Sequence, residues 1–172
     1  MRKSSLKTVN TIVLILGLIL MAAFMVSCAK PEVRDDYSLH CTLYIDCKSI
    51  LNNMDMLNPD KVELVPEDGI ILPKVTVGFE DGDSVYDIML RELLARNIHI
   101  EAEFVPAFGT AYVEGINNLY EFDCGPMSGW EYKVNGVFPN YGCSQYKPKD
   151  GDSIEFLFTC DLGADVGNEY NE

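Results

Sequence analysis

The chain has 172 residues, with 13 basic and 27 acidic side chains and a formal net charge of −14. Arg2, Lys3 and Lys7 fall in the first ten residues, where no acidic residue stands, so the remainder is more acidic than the whole. Such a surface excludes charge-driven binding to nucleic acid and flat adsorption on anionic lipid.

The basic start is followed by an apolar run from Ile12 to Val26, then Ser27 and Cys28. A short apolar run behind positive charges and before a small residue describes a secretory signal. It falls short of the ~20 residues that a spanning helix needs. Met25-Val26-Ser27-Cys28 resembles the lipobox of bacterial lipoproteins, in which the cysteine thiol receives a diacylglyceryl group. The expectation is a signal peptide over residues 1–27, lipid on Cys28, and an extracytoplasmic protein held to the cell membrane. Two other readings of the same pattern are an uncleaved anchor and ordinary cleavage that leaves Cys28 a plain thiol. Residues 28–38, with Pro31, Glu32, Arg34, Asp35 and Asp36, read as a solvated tether.

A single domain is expected over residues 39–162. Leu39, Cys41, Leu43, Ile45 and Cys47 alternate, as on a half-buried strand. Residues 49–69 carry Asn52, Asn53, Asn58, Pro59, Pro66 and Gly69 and read as irregular. Ile70 to Phe79 suits a second strand that begins at an edge or kink, because Pro73 cannot donate to a ladder. Ser84 is a natural N-cap, with Asp87 three residues on. Val85, Ile88, Met89 and Leu93 then follow at helical spacing, and Asn97 can end the helix.

Beyond the helix the period returns to two. Strands are predicted over His99–Val105, Thr110–Ile116, Leu119–Cys124, Trp130–Val134 and Ser153–Thr159. Asn135-Gly136 signals a type I′ hairpin, since both central positions need positive φ. Asp-Gly-Asp-Ser occurs at 81–84 and again at 150–153. Neither copy continues as a calcium loop would, so both read as tight turns. Residues 163–172 are polar and acidic and are expected to fray. Strands, one helix and further short strands give an α+β class, a mixed sheet packed on a single helix.

The remaining cysteines are Cys41, Cys47, Cys124, Cys143 and Cys160. Export permits disulfides, but an odd set cannot all pair within one molecule. His40 and His99 are the only histidines, no Cys-x-x-C occurs, and no zinc spacing is present, so no metal and no cofactor are expected. Ser128 stands in Gly-Pro-Met-Ser-Gly, which is not the Gly-x-Ser-x-Gly elbow of a serine hydrolase. With no histidine in a motif to serve as base, no catalytic residue is assigned and no enzyme is expected.

Three segments together resemble the transcobalamin C-terminal-like family, a branch of the soluble-ligand-binding β-grasp domains found on bacterial surface proteins as a domain of unknown function. They are the helix opening Gly82 to Leu90, the run Ser128-Gly-Trp-Glu-Tyr-Lys-Val-Asn-Gly136, and Tyr146 to Glu155 with its Lys-x-Gly-Asp-x-Ile-Glu-like ending. The resemblance spans roughly residues 39–162. It implies a β-grasp sheet around the helix and binding of a small soluble ligand, a corrinoid such as cobalamin being the family's example. Partners would be that ligand, the membrane through the lipid, and an envelope or transporter protein. A surface-contact module without any small ligand is the alternative.

Candidate ligand contacts are Trp130, Tyr132, Asn135, Gly136, Asn140, Tyr141 and Tyr146, with Tyr112 and Tyr120 as further aromatics nearby. Aromatics offer large apolar area with a polar tip, and loops on a rigid sheet carry binding. Trp130, Tyr132 and Val134 share one strand face, so Trp130 and Tyr132 serve either the core or the site. Cys124 and Cys143 flank this region and are candidates for a disulfide across it.

Overall fold

A computed structural model describes residues 36–168. The expected signal peptide, Cys28 and most of the tether lie outside the described residues. Among those described, no helix is long and apolar enough to cross a membrane.

Among the described residues, seven strands make two sheets. The first has β1 (Leu39–Asp46), β2 (Ile70–Phe79), β6 (Gly129–Val134) and β7 (Ser153–Thr159), in the order β2-β1-β7-β6. The outer pairs are antiparallel and the central pair, β1 with β7, is parallel. Two hairpin-like units joined through a parallel centre are the β-grasp arrangement, and the class expected from sequence is the one found. The second sheet holds β3 (Ile100–Val105), β4 (Thr110–Ile116) and the two-residue β5 (Leu119–Tyr120). Sequence reading offered these strands without separating them from the main sheet, because alternation marks a strand but not its partner.

One short helix, α1 (Lys48–Leu51), and one long helix, α2 (Val85–Ala95), complete the body with two 3-10 turns at Pro59–Leu64 and Ala164–Val166. Ser84 caps α2 as predicted. Its hydroxyl accepts from Asp87 N, while the Asp87 carboxylate accepts from Ser84 N at 2.8 Å. Asn97, just beyond, takes φ 59°, the left-handed stop that asparagine tolerates. Val85, Ile88, Met89 and Leu93 of α2 are fully buried, with Leu43 and Ile45 of β1, Phe79 of β2, and Ile154, Phe156 and Phe158 of β7. The alternation seen in residues 39–47 is therefore the pattern of the main sheet's inner face.

The differences from expectation have local causes. Residues 49–69 contain α1 and a 3-10 turn, the latter started by Asn58, whose side chain accepts from Asp60 N ahead of Pro59. Leu119–Cys124 does not continue as a strand. Asp123 turns back to accept from Tyr120 N, and Phe122 is driven to φ 66°. At the N-terminal margin Tyr37 is already buried, against Gly78, so packing begins two residues before the predicted domain. At the C-terminal margin Gly163 to Asn168 fold onto β7. Asp165 accepts from Thr159 Oγ1 and from Cys160 N, and Asn168 donates to Glu131 at 2.7 Å. Of residues 163–172, which are expected to fray, these side-chain bonds hold Gly163 to Asn168 on β6 and β7, and residues 169–172 lie outside the described residues.

Both Asp-Gly-Asp-Ser copies are turns. In the second, Asp150 accepts from His40 N, and Asp152 accepts from Lys149 N and Asn135 Nδ2.

Candidate functional site

β6 is an outer strand. Asn135 N donates to Ser153 O, which places the bonded pairs of the β6–β7 ladder at alternate residues. The Trp130 and Tyr132 amides accordingly face away from β7, where no strand pairs with β6. Along this edge opens a cleft of about 460 Å³. It is lined by Gly129 to Tyr132 of β6, by Tyr112 of β4 with Glu121 and Phe122, and by Phe138 and Pro139. Pro126, Met127, Leu162 and Asn168 close the end.

The rim is apolar where a folded protein usually hides such groups. Phe122 is 62 % exposed and Leu162 59 %, with Met127 and Tyr112 also exposed. Phe122 and Leu162 both stand at positive φ, 66° and 47°, unusual for bulky residues. Strain held at an exposed aromatic is the kind that clusters at binding sites. Phe122 N donates to Ser128 O and Leu162 N to Met127 O, which fix the two rim segments to the Gly125–Ser128 turn.

Two carboxylates sit among these apolar groups. Glu121 accepts from the Tyr112 hydroxyl at 2.6 Å, and burial together with that carboxylate pushes the phenol well above its ordinary range. Glu131 accepts from Asn168 Nδ2, and burial raises its carboxyl above the ordinary 4.5. No Lys or Arg lines the cleft. Its chemistry suits a ligand with an apolar body and hydrogen-bond donors, neutral or cationic, and disfavours an anion.

Of the seven candidate contacts, the cleft gathers two. Trp130 is 9 % exposed, its indole edge-on to Phe158 and its Nε1 donating to Leu119 O. It is a core residue whose upper face floors the cleft. Tyr132 stacks on Phe156 and donates its hydroxyl to Tyr141 O at 2.6 Å. Tyr141 in turn stacks on Tyr146 at 5.8 Å, and Tyr146 stands edge-on to Tyr132. These three rings pin the loop after the hairpin to the sheet, and neither Tyr141 nor Tyr146 lines the cleft.

Asn135 and Gly136 form the predicted turn, at φ 54° and 80°. The Asn135 side chain accepts from Ser153 N and donates to Asp152, so it closes the hairpin, away from the cleft. Asn140 is exposed and also outside it. Sequence reasoning missed Glu121, Phe122, Met127, Glu131 and Leu162. One signal was available: Phe122, Met127 and Leu162 are large apolar residues inside turn-like sequence, where nothing would bury them.

The staple expected between Cys124 and Cys143 is not what the structure places. All five described cysteines are free and buried. Cys143 O accepts from Tyr86 N at the start of α2, whereas the Cys124 thiol donates to Asn53 O and the Cys160 thiol lies 3.7 Å from Ser49 Oγ, both beside α1. Among the described residues no group of three His, Cys, Asp or Glu converges as metal ligands would. The Ser128 hydroxyl donates to Gly125 O and accepts from Cys124 N, which occupies it in the turn.

A family described as a domain of unknown function (DUF4430) matches residues 82–159. That segment holds α2, the second sheet, β6 and β7, and with them most of the cleft. No curated protein matches the chain. Among solved structures, a candidate metal-binding protein from Ruminococcus gnavus superposes with TM-score 0.43 at 15 % identity, over 71 % of this chain and 97 % of that one. Haptocorrin in complex with Cbi superposes with TM-score 0.49, also at 15 % identity, over 79 % of this chain and 29 % of that one. The chain thus spans less than a third of the haptocorrin chain.

Proposed function

We propose that this is a lipid-anchored extracytoplasmic binding protein, without catalytic activity, whose cleft beside β6 captures a soluble ligand with an apolar, flat body. The observation that carries the reading is the cleft's rim. Phe122, Met127 and Leu162 are exposed around the indole of Trp130, and the strained backbone at Phe122 and Leu162 favours a binding role. Anchoring and location rest on the sequence pattern that ends at Cys28. A corrinoid is the first ligand to test, from the resemblance carried by Ser128 to Gly136. Its bulk exceeds the cleft, so one edge would seat between Phe122 and Phe138 with its amide donors toward Glu121 and Glu131.

Trp130 is the single tryptophan, so its fluorescence reports on the cleft floor. Titration with cobalamin and cobinamide is expected to quench it at micromolar ligand. Phe122→Ala, which removes a ring outside the core, should weaken binding about tenfold, or about 1.4 kcal/mol. Unchanged fluorescence with both compounds sinks the corrinoid reading.

The outer edge of β6 favours a second reading, in which an envelope or transporter protein docks there instead. Crosslinking from a photoreactive residue at position 122 in whole cells would then trap a protein, and no small ligand would compete. For the anchor, Cys28→Ala is expected to release the protein from the membrane fraction; unchanged retention refutes lipidation.

A further inference from the structure

We propose that Cys124 and Cys160 are a disulfide-forming pair, joined on export, that staples together the two segments forming the end of the cleft. Both thiols are buried, and their hydrogen-bond partners bring them to one place. Cys124 Sγ donates to Asn53 O, while Cys160 Sγ lies 3.7 Å from Ser49 Oγ. Ser49 and Asn53 are themselves joined, Asn53 Nδ2 donating to Ser49 O at 2.8 Å, so both sulfurs sit on one face of the α1 turn. Beyond the cysteines, the backbones run side by side, with Leu162 N donating to Met127 O at 2.9 Å.

Position in the fold gives the pair its consequence. Cys124 immediately precedes the Gly125–Ser128 turn, and Cys160 lies between Thr159 and Leu162. Pro126, Met127, Ser128, Thr159 and Leu162 all line the cleft. A bond between the cysteines closes a covalent loop through β6 and β7 and limits the separation of the rim segments that carry Met127 and Leu162. Cys143 cannot take this part, since it lies by Tyr86 and Asp87 at the α2 end.

The step is thiol–disulfide exchange with an oxidised dithiol, the class of oxidant that acts on exported chains. One cysteine thiolate attacks a sulfur of the oxidant's disulfide, giving a mixed disulfide and releasing one oxidant thiolate. The second cysteine thiolate then attacks the protein sulfur of that mixed bond and releases the other. Two electrons and two protons pass to the oxidant, which leaves as a dithiol. Burial pushes the Cys124 thiol up to about 12, and the Cys160 thiol also upward. Thiolate is therefore scarce in the finished fold, and the exchange belongs to folding, before α1 closes over the pair.

Pairing is tested without relying on export. Full-length protein, extracted in detergent, is reduced and unfolded, refolded with oxidised glutathione, alkylated under denaturing conditions and digested. A single linked peptide joining Cys124 to Cys160 is expected, with Cys41, Cys47 and Cys143 alkylated. Complete alkylation of both, or a link from either of them to Cys41, Cys47 or Cys143, overturns the proposal. In the oxidised protein, dithiothreitol should lower Tm by roughly 10 °C, for a loop of the size between these cysteines. The Cys124→Ser, Cys160→Ser double variant should show no such response, and an equal response in it would overturn the pairing as well.

Discussion

Replacing Gly78 by alanine tests how the N-terminal chain is held. Gly78 lies in β2 at an ordinary backbone angle, so the extra methyl meets no torsional objection. Its difficulty is space: a Cβ there would lie 2.4 to 2.6 Å from Tyr37 Cδ2, Cβ and Cγ. Carbon atoms that close must separate by more than 1 Å to reach van der Waals contact. The ring must therefore leave, and it also packs against Arg91. Arg91 lies 4.9 Å from the Tyr37 ring centre while donating to Gly78 O at 2.7 Å and to Asp83.

Overpacking of this kind costs about 1–3 kcal/mol. Ejecting Tyr37 costs about 2 kcal/mol of burial, plus about 0.5–1 kcal/mol for the guanidinium over the ring. The two ranges overlap at a loss of about 2.5–3 kcal/mol, a fall in Tm of roughly 8 °C. The decisive assay is a double-mutant cycle with Tyr37→Ala, read by urea denaturation. Once the ring is gone the alanine methyl has room, so the double variant should lose little more than Tyr37→Ala alone, a coupling of about 2 kcal/mol. Additive losses, or a Gly78→Ala protein as stable as the parent, would refute the reasoning.

Two further substitutions probe the hairpin turn and the cleft lining. At Asn135, alanine should cost about 2 kcal/mol and glycine about 1, because glycine keeps the positive φ and loses only the bonds to Ser153 and Asp152; equal losses in urea denaturation would deny the left-handed strain. For Glu131, burial holds the folded carboxyl above its ordinary 4.5, so the native state binds the proton more tightly than the unfolded chain. The resulting cost is absent below about pH 4.5, grows as pH rises through the raised value, and is constant above it. Glu131→Gln should therefore raise Tm at pH 7 and converge with the parent near pH 4, and a pH-independent offset would count against it.

Much of the main sheet could be read from the chain because its signals are local. The alternation in residues 39–47, the Ser84–Asp87 cap and the Asn135-Gly136 turn each depend on neighbours a few residues away, and each is present. The cleft depends on the distant approach of residues 112, 122, 131 and 162, which no short-range pattern encodes. Tyr141 and Tyr146 show the opposite failure. Their aromatic chemistry suited a ligand, yet they satisfy one another, and aromatic content in sequence does not distinguish a self-stacked cluster from an open one. Cys124 gives the same lesson, since proximity in sequence favoured Cys143 while the fold sets Cys124 and Cys160 against Asn53 and Ser49 of the α1 turn.

Tyr37 meets the sheet at β2, and the cleft runs beside β6. With β1 and β7 between, three inter-strand steps of ~4.8 Å part these two margins, about 14 Å across the hydrogen-bonding direction. A load pulling on the polypeptide ahead of Tyr37 would bear first on Tyr37 and then on β1, the strand that the chain enters next, and would reach β6 only through β7.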